Sequence, residues 1–318
     1  MILYLILIII GFVALIYGAN WLVNGASSLA KKYNVSDLVI GLTIVAFGTS
    51  APELVVNSVA SYDGLSDIVL GNIIGSNNFN LFIILGIASL MYPITVQKST
   101  ANVEIPISLF TAAILLVLAN DFFLGANTII SRVDSLIMLV FFAGFLFYIF
   151  KQMKTERPEE VGFMPKSNTA IFALIVFGFV GLIVGGKLVV DNAILVAKSL
   201  DVSEKIIGLT IIAAGTSLPE LLTSVVAAMK KNSDIAIGNV IGSNVFNILL
   251  VVPISGLLNP IVYNSNFDID IYILISGTVF IIGALAFSKT KKITRWHGLI
   301  LLCFYLIYTS YLVSKEIM

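Results

Sequence analysis

One cysteine, Cys303, and one histidine, His297, in 318 residues leave too few soft or imidazole donors for an internal disulfide or a zinc-type metal cluster. Charge is equally scarce: 11% of residues are charged, against about 25% in a soluble domain. The 18 basic and 18 acidic residues cancel, so overall charge points to no partner, and no nucleic-acid partner is expected. No GxxxxGK[ST] phosphate loop and no hydrolytic constellation is present, so the chain is not expected to be an enzyme and calls for no organic cofactor. A polar stretch long enough to fold alone is missing too. The longest, 151–168, carries charges and two prolines, too short for a soluble domain or a folded regulatory sensor.

Hydrophobic residues make up 58% of the chain, with a mean hydropathy of +1.04. A helix that crosses a bilayer needs about 20 mostly apolar residues. By that measure ten segments qualify: 2–24, 37–61, 67–92, 103–120, 127–150, 169–191, 205–229, 234–257, 268–287 and 296–314. The expected class is therefore an all-α integral membrane protein of ten transmembrane helices, multi-pass in the cell membrane, with the lipid bilayer as its surroundings. Thirteen of the eighteen Lys and Arg residues fall in connections after odd-numbered segments, among them Lys31, Lys32, Lys98, Lys230 and Lys231. Short basic loops stay cytoplasmic, which places both termini outside.

Residues 41–81 recur at 208–248 without a gap, and 24 of the 41 positions are identical. GLTIVAFGTSAPEL returns as GLTIIAAGTSLPEL, and GNIIGSNNFN as GNVIGSNVFN. Five segments separate a residue from its mate. Five is odd, so the copies enter the membrane from opposite sides and form inverted repeats: 1–150, a cytoplasmic linker at 151–168, and 169–318. The loops agree, since Asp63-Gly64 becomes Lys230-Lys231. Inverted repeats are a common construction of secondary transporters, with sites near the midplane where the halves meet.

The identities include Thr49 with Thr216, Ser50 with Ser217, Glu53 with Glu220, Ser76 with Ser243, and Asn80 with Asn247. An ionisable residue inside a membrane span is costly and functional by default. Thr49, Glu53 and Asn57 are four apart, as are Thr216, Glu220 and Ser224, so each trio lies along one helix face. Asn72, Ser76 and Asn80 form a second stripe, matched by Asn239, Ser243 and Asn247. Pro52 and Pro219 precede the glutamates and cannot bond the carbonyls of Gly48 and Gly215. Backbone oxygens at Thr49-Ser50 and Thr216-Ser217 are thereby free to line a cavity, where irregular backbone is tolerated. For Ser76 and Ser243 ligation and helix packing both stand; for Asn72 and Asn239 the reading is packing. Gly71, Gly75, Gly238 and Gly242 are read as close-contact positions. The collected atoms are nearly all oxygens, which suit hard cations: calcium, with its six to eight oxygen ligands, or sodium, and less readily magnesium, which keeps its waters.

These residues resemble the paired alpha repeats of the calcium:cation antiporter superfamily, in particular its sodium/calcium exchanger branch, of the prokaryotic type without a large regulatory loop. The resemblance spans nearly the whole chain. It implies that Glu53 and Glu220 coordinate calcium, that backbone oxygens of Thr49 and Thr216 complete that shell, and that Ser50, Ser217, Ser76, Ser243, Asn80 and Asn247 form flanking sodium sites. It also implies Ca2+ and Na+ as transported ions, a functional monomer, and outward calcium movement driven by the sodium gradient through alternating access. Proton/calcium exchangers typically carry GNxxE where this chain has GTSxPE; exchange of protons for calcium is the alternative, and a passive cation channel stands behind it. Potassium-dependent members carry Asp at the position of Asn247, whereas both repeats here carry Asn, which disfavours potassium dependence.

Topology is directly testable. In a Cys303→Ala background, Ser167→Cys in the middle loop is expected to react with a membrane-impermeant maleimide only in inside-out vesicles, and a cysteine placed after Met1 only in right-side-out ones. Labelling of both from one side would be compatible with equal placement and would refute the odd helix count.

Overall fold

Apolar runs of this length become helices because, in lipid, a helix satisfies its own backbone groups without water. A computed structural model describes residues 2–120, 128–153, 167–199, 213–288 and 290–317. Among these, the elements in order are α1 (Ile2–Tyr33), α2 (Asp37–Thr49), α3 (Ala51–Tyr62), α4 (Ser66–Met91), β1 (Ile94–Thr95), α5 (Thr100–Ala119), β2 (Ile129–Ile130), α6 (Arg132–Met153), α7 (Asn168–Ser199), α8 (Ala213–Thr216), α9 (Leu218–Met229), α10 (Ser233–Leu258), β3 (Ile261–Val262), α11 (Ser265–Phe287), β4 (Lys292–Ile293) and α12 (Arg295–Ile317). Among the described residues seven helices are long and apolar enough to cross a membrane, and α2 with α3, bent by 45° at Ser50, makes an eighth span if counted as one. The expected segments before α8, at 205–212, and most of the linker lie outside the described residues.

Two differences from the sequence reading stand out. The first and sixth segments are longer than expected, 32 residues each, because nothing breaks the helix where hydropathy falls: Lys31 and Lys32 simply extend α1 at its C-terminal end, where basic side chains suit the helix dipole. The protein is also not wholly helical. Two-residue strands pair antiparallel, Ile94 with Ile293 and Ile129 with Val262, since short connections at the ends of the bundle satisfy each other's backbone groups.

Those connections sort into two sets. Segments that follow α1, α4, α9 and α11 touch one another: β1 pairs with β4, Gln97 donates to Asp234 (2.6 Å), Ser233 Oγ accepts from Thr95 N (3.1 Å), and Asn232 donates to Asp37 (2.7 Å). Segments that follow α3, α5 and α10 form the other set: β2 pairs with β3, Ser61 donates to Ser255 O (2.6 Å), and Val262 N donates to Ser66 Oγ (3.0 Å).

Packing is graded from centre to rim. The most apolar window of α10 is 94% buried and that of α4 72%, whereas α1 and α7 are 22% and 28% buried. Small residues let the inner backbones meet. A Cβ on Gly238 would stand 3.0 Å from Leu38 O, and one on Gly242 3.0 Å from Leu42 Cα, so α2 lies directly on α10. This agrees with the reading of Gly238 and Gly242. The same reading is not met at Gly71 and Gly75 among the described residues: a Cβ on Gly71 would meet only the Phe267 ring, at 3.7 Å, and one on Gly75 nothing within 4 Å.

At the rim, α1 and α7 form an antiparallel pair. Gly11 abuts Gly185 O, Gly18 abuts Gly178 O and Leu182 N, and Gly25 abuts Ile175, each within about 3 Å of where a Cβ would sit. Gly18→Val therefore overpacks the pair at a cost of about 1–3 kcal/mol. A lower apparent thermal midpoint in detergent is expected, while Gly144→Ala, whose Cβ would meet nothing within 4 Å, leaves it unchanged.

Candidate functional site

The two helix breaks are built alike. Ser50 sits at φ −86°, ψ 4° and Ser217 at φ −89°, ψ 6°, each followed by a helix with proline in its first turn. The ring of Pro52 or Pro219 carries no N–H for the carbonyl four residues back, and the helix resumes from the serine carbonyls: Leu54 N reaches Ser50 O (3.2 Å) and Leu221 N reaches Ser217 O (3.0 Å). Glu53 and Glu220 thus lie in the first turn of the resumed helices, where the macrodipole favours negative charge. Phe179 and Val190 of α7 cover the preceding Gly48 and Gly215, where a Cβ would collide with them.

Both carboxylates are buried, 1% exposed each, and each is met by the other half of the chain. Ser50 Oγ donates to Glu220 Oε1 at 3.1 Å. Ser217 Oγ lies 3.5 Å from Glu53 Oε1 and donates to Ser76 Oγ at 3.1 Å. Thr49 Oγ1 donates to Asn239 Oδ1 (3.0 Å), and in mirror fashion Thr216 Oγ1 donates to Asn72 Oδ1 (3.3 Å). The structure therefore brings the residues on α2, α3 and α4 into one cluster with those on α8, α9 and α10. Asn72 and Asn239 serve packing as read, by tying the threonines of the opposite break.

The halves also differ one turn beyond each glutamate. Asn239 Nδ2 donates to Glu220 O (3.3 Å) and Ser224 Oγ (2.9 Å). In the first half Asn57 replaces serine, and its own Nδ2 takes Glu53 O at 2.7 Å, doing for Glu53 what Asn239 does for Glu220.

Beyond this cluster a second set joins α4 to α10. Asn80 Nδ2 donates to Asn244 Oδ1 (3.1 Å) and Asn247 Nδ2 to Asn77 Oδ1 (3.0 Å). Asn77 and Asn244 were not singled out from sequence, because they fall off the four-residue stripes; their identity in the two copies of the motif was the available signal. Both helices widen to π geometry here, over Phe79–Ile84 and Asn247–Val251, a feature common at functional sites.

The polar atoms left over define the chemistry. Glu53 Oε2, Glu220 Oε2, Asn80 Oδ1 and Asn247 Oδ1 are buried without a hydrogen-bond partner, as are Ser243 Oγ and Asn57 Oδ1. All of these but the serine hydroxyl are acceptors only. Buried acceptors of this kind call for a cation or for protons. No cluster of three His, Cys, Asp or Glu exists among the described residues, so the donor set is two carboxylates supplemented by neutral oxygens, which suits a hard ion taken up and released as cargo.

The family described as sodium/calcium exchanger protein matches residues 3–151 and 170–314. The sodium/calcium exchanger MaX1 of Methanosarcina acetivorans is 32% identical, with 94% of this chain and 95% of that protein covered. The inner membrane protein YrbG of Escherichia coli is 35% identical over 80% of this chain and 79% of its own length. Among solved structures, the sodium-calcium exchanger NCX_Mj soaked with Na+ and Sr2+ superposes with a TM-score of 0.83 at 32% identity, covering 97% of this chain and 98% of that one.

The asymmetry at Asn57 has a measurable consequence. Asn57→Ser makes the first half like the second, so Asn72 can take over Glu53 O and the thermal midpoint is expected to stay near the parent's. Asn57→Leu removes the side-chain donor from Glu53 O, leaving that carbonyl only its helical backbone bond, at about 1 kcal/mol, and a drop in midpoint is expected. Equal loss in both variants would contradict the proposed exchange of roles.

Proposed function

The chain belongs to the sodium/calcium exchanger family of the calcium:cation antiporter superfamily, multi-pass proteins of the cell membrane, and on that premise we propose that it exchanges Na+ for Ca2+ across the membrane. The observation that carries this reading is the set of four buried, unpartnered acceptor oxygens on Glu53, Glu220, Asn80 and Asn247. Two carboxylates supply the charge that one calcium ion, or two sodium ions, would neutralise. The backbone oxygens of Thr49 and Thr216 and the hydroxyls of Ser50, Ser217, Ser76 and Ser243 complete the proposed oxygen shell, so that sodium and calcium compete for one cluster.

In this reading the chain crosses the membrane ten times as two inverted halves, 1–150 and 169–318, joined by the cytoplasmic linker 151–168, with both termini outside. The partition of the connections into two sets supports the crossing count, and the excess of Lys and Arg in one set supports its orientation. The ion-binding cluster is formed between the halves and stays in place. The peripheral pair α1 and α7, joined backbone to backbone by glycines, is the mobile unit. Its Phe179 and Val190 rest on the two helix breaks, so its displacement uncovers the cluster to alternate sides. Calcium leaves against its gradient as sodium enters down its own, with one chain sufficient for the cycle.

Reconstituted vesicles test the proposal. Uptake of radioactive calcium is expected to require an opposing sodium gradient and to be indifferent to a pH gradient and to potassium; dependence on pH alone would replace sodium by protons. Glu53→Gln or Glu220→Gln removes a charge-assisted contact of about 1.5–3 kcal/mol, so calcium affinity is expected to fall about tenfold or more. Uptake intact in the double variant would rule out this site.

A further inference from the structure

Asn77 and Asn244 are mates in the repeat, 167 residues apart, and they bond each other reciprocally. Asn77 Nδ2 donates to Asn244 O and Asn244 Nδ2 to Asn77 O, both at 3.3 Å. A residue that bonds its own mate in this way lies on the axis relating the halves. Both side chains are buried, 0% and 1% exposed. With each Nδ2 committed to the opposite backbone, each Oδ1 is left facing the other way, where it accepts from the amide of Asn247 or Asn80.

We propose that Asn77 and Asn244 are positioning residues for ion binding: they form a bracket on the axis that holds the amides of Asn247 and Asn80 in one orientation, with Oδ1 presented to the cation. The polarity of the bracket dictates that orientation. If the Asn80 amide turned over, its Oδ1 would face Asn244 Oδ1, and two acceptors would oppose each other in a buried place. As it stands, each ion-site amide spends a donor on the bracket and keeps its carbonyl oxygen free, which is the pattern of unpartnered atoms observed at Asn80 and Asn247. The bracket also couples the halves, because each amide is oriented by a residue of the opposite repeat. One displaced asparagine therefore disturbs an oxygen contributed by the other half.

The inference rests on the proposed cation site, and the test separates the two. Sodium-driven calcium uptake is measured in proteoliposomes for the parent, Asn247→Ala, Asn77→Ala and the double variant, with KM and maximal rate determined for each. Asn247→Ala and Asn77→Ala are each expected to raise KM about tenfold with little change in maximal rate, and the double variant to match Asn247→Ala, since a residue acting through another adds nothing once that other is gone. Fold-changes that multiply, or a KM for Asn77→Ala equal to the parent's, overturn the bracket while leaving the site. An unchanged KM for Asn247→Ala overturns the site reading itself. The mirror cycle of Asn244→Ala with Asn80→Ala reads the same quantity independently, and Asn77→Ser, which retains an acceptor, substitutes where the alanine variant does not elute as a folded species.

Discussion

Two carboxylates buried among apolar spans are the constraint on which the rest of this structure turns. Removing a carboxylate from water costs several kcal/mol unless charge and hydrogen bonds return what hydration supplied. Neither half of the chain supplies that alone. Glu53 is approached by Ser217 and Glu220 is hydrogen-bonded by Ser50, so each acid is served from the opposite repeat. The remaining requirement, an unpartnered oxygen on each carboxylate and on the amides of Asn80 and Asn247, is one that a bound cation would satisfy. Under the proposed function, the instability of the cluster by itself is what makes cargo binding favourable.

The helix breaks follow from the same requirement. An unbroken helix would direct every backbone carbonyl along its own axis and leave only side chains for an ion. Proline one residue before each glutamate interrupts that pattern without exposing backbone to lipid, because α4 and α10 enclose the break. The close approach of α2 to α10 at Gly238 and Gly242 is what brings the carboxylates, hydroxyls and amides of the two halves within hydrogen-bond distance of one another.

Symmetry is kept in the asparagine bonds that cross between the halves and relaxed at the serines and at Asn57. The threonine-to-asparagine bonds Thr49–Asn239 and Thr216–Asn72 are mirrored, and the asparagine bracket is mirrored bond for bond. Asn57 and Ser224, farther along their helices, divide the task of holding the glutamate carbonyl differently. The rim pair of α1 and α7 uses glycine for a different end: a surface with few side chains to interlock, along which two long helices meet backbone to backbone.

Much of this was legible in the sequence, for a physical reason. Hydrophobic length determines that the chain lives in a bilayer, the gapless recurrence of GTSxPE and GNxxGSNxFN determines the duplication, and proline next to glutamate determines a break beside a charge; each depends only on residues close together in the chain. The periodicity of four likewise grouped Glu53 and Asn57 on one helix, whereas the break at Ser50 leaves Thr49 at the end of the preceding one. Tertiary structure alone decided which atoms those faces meet. The exchange of serine-to-glutamate contacts between halves, the role of Asn57 at a carbonyl, and the pairing of Asn77 with Asn244 all join residues more than 140 apart or depend on which lone pair a neighbour has already used. Hydrogen-bond partnership across an axis has no signature in local sequence, because it is set by the register of two helices that are brought together only when the chain folds.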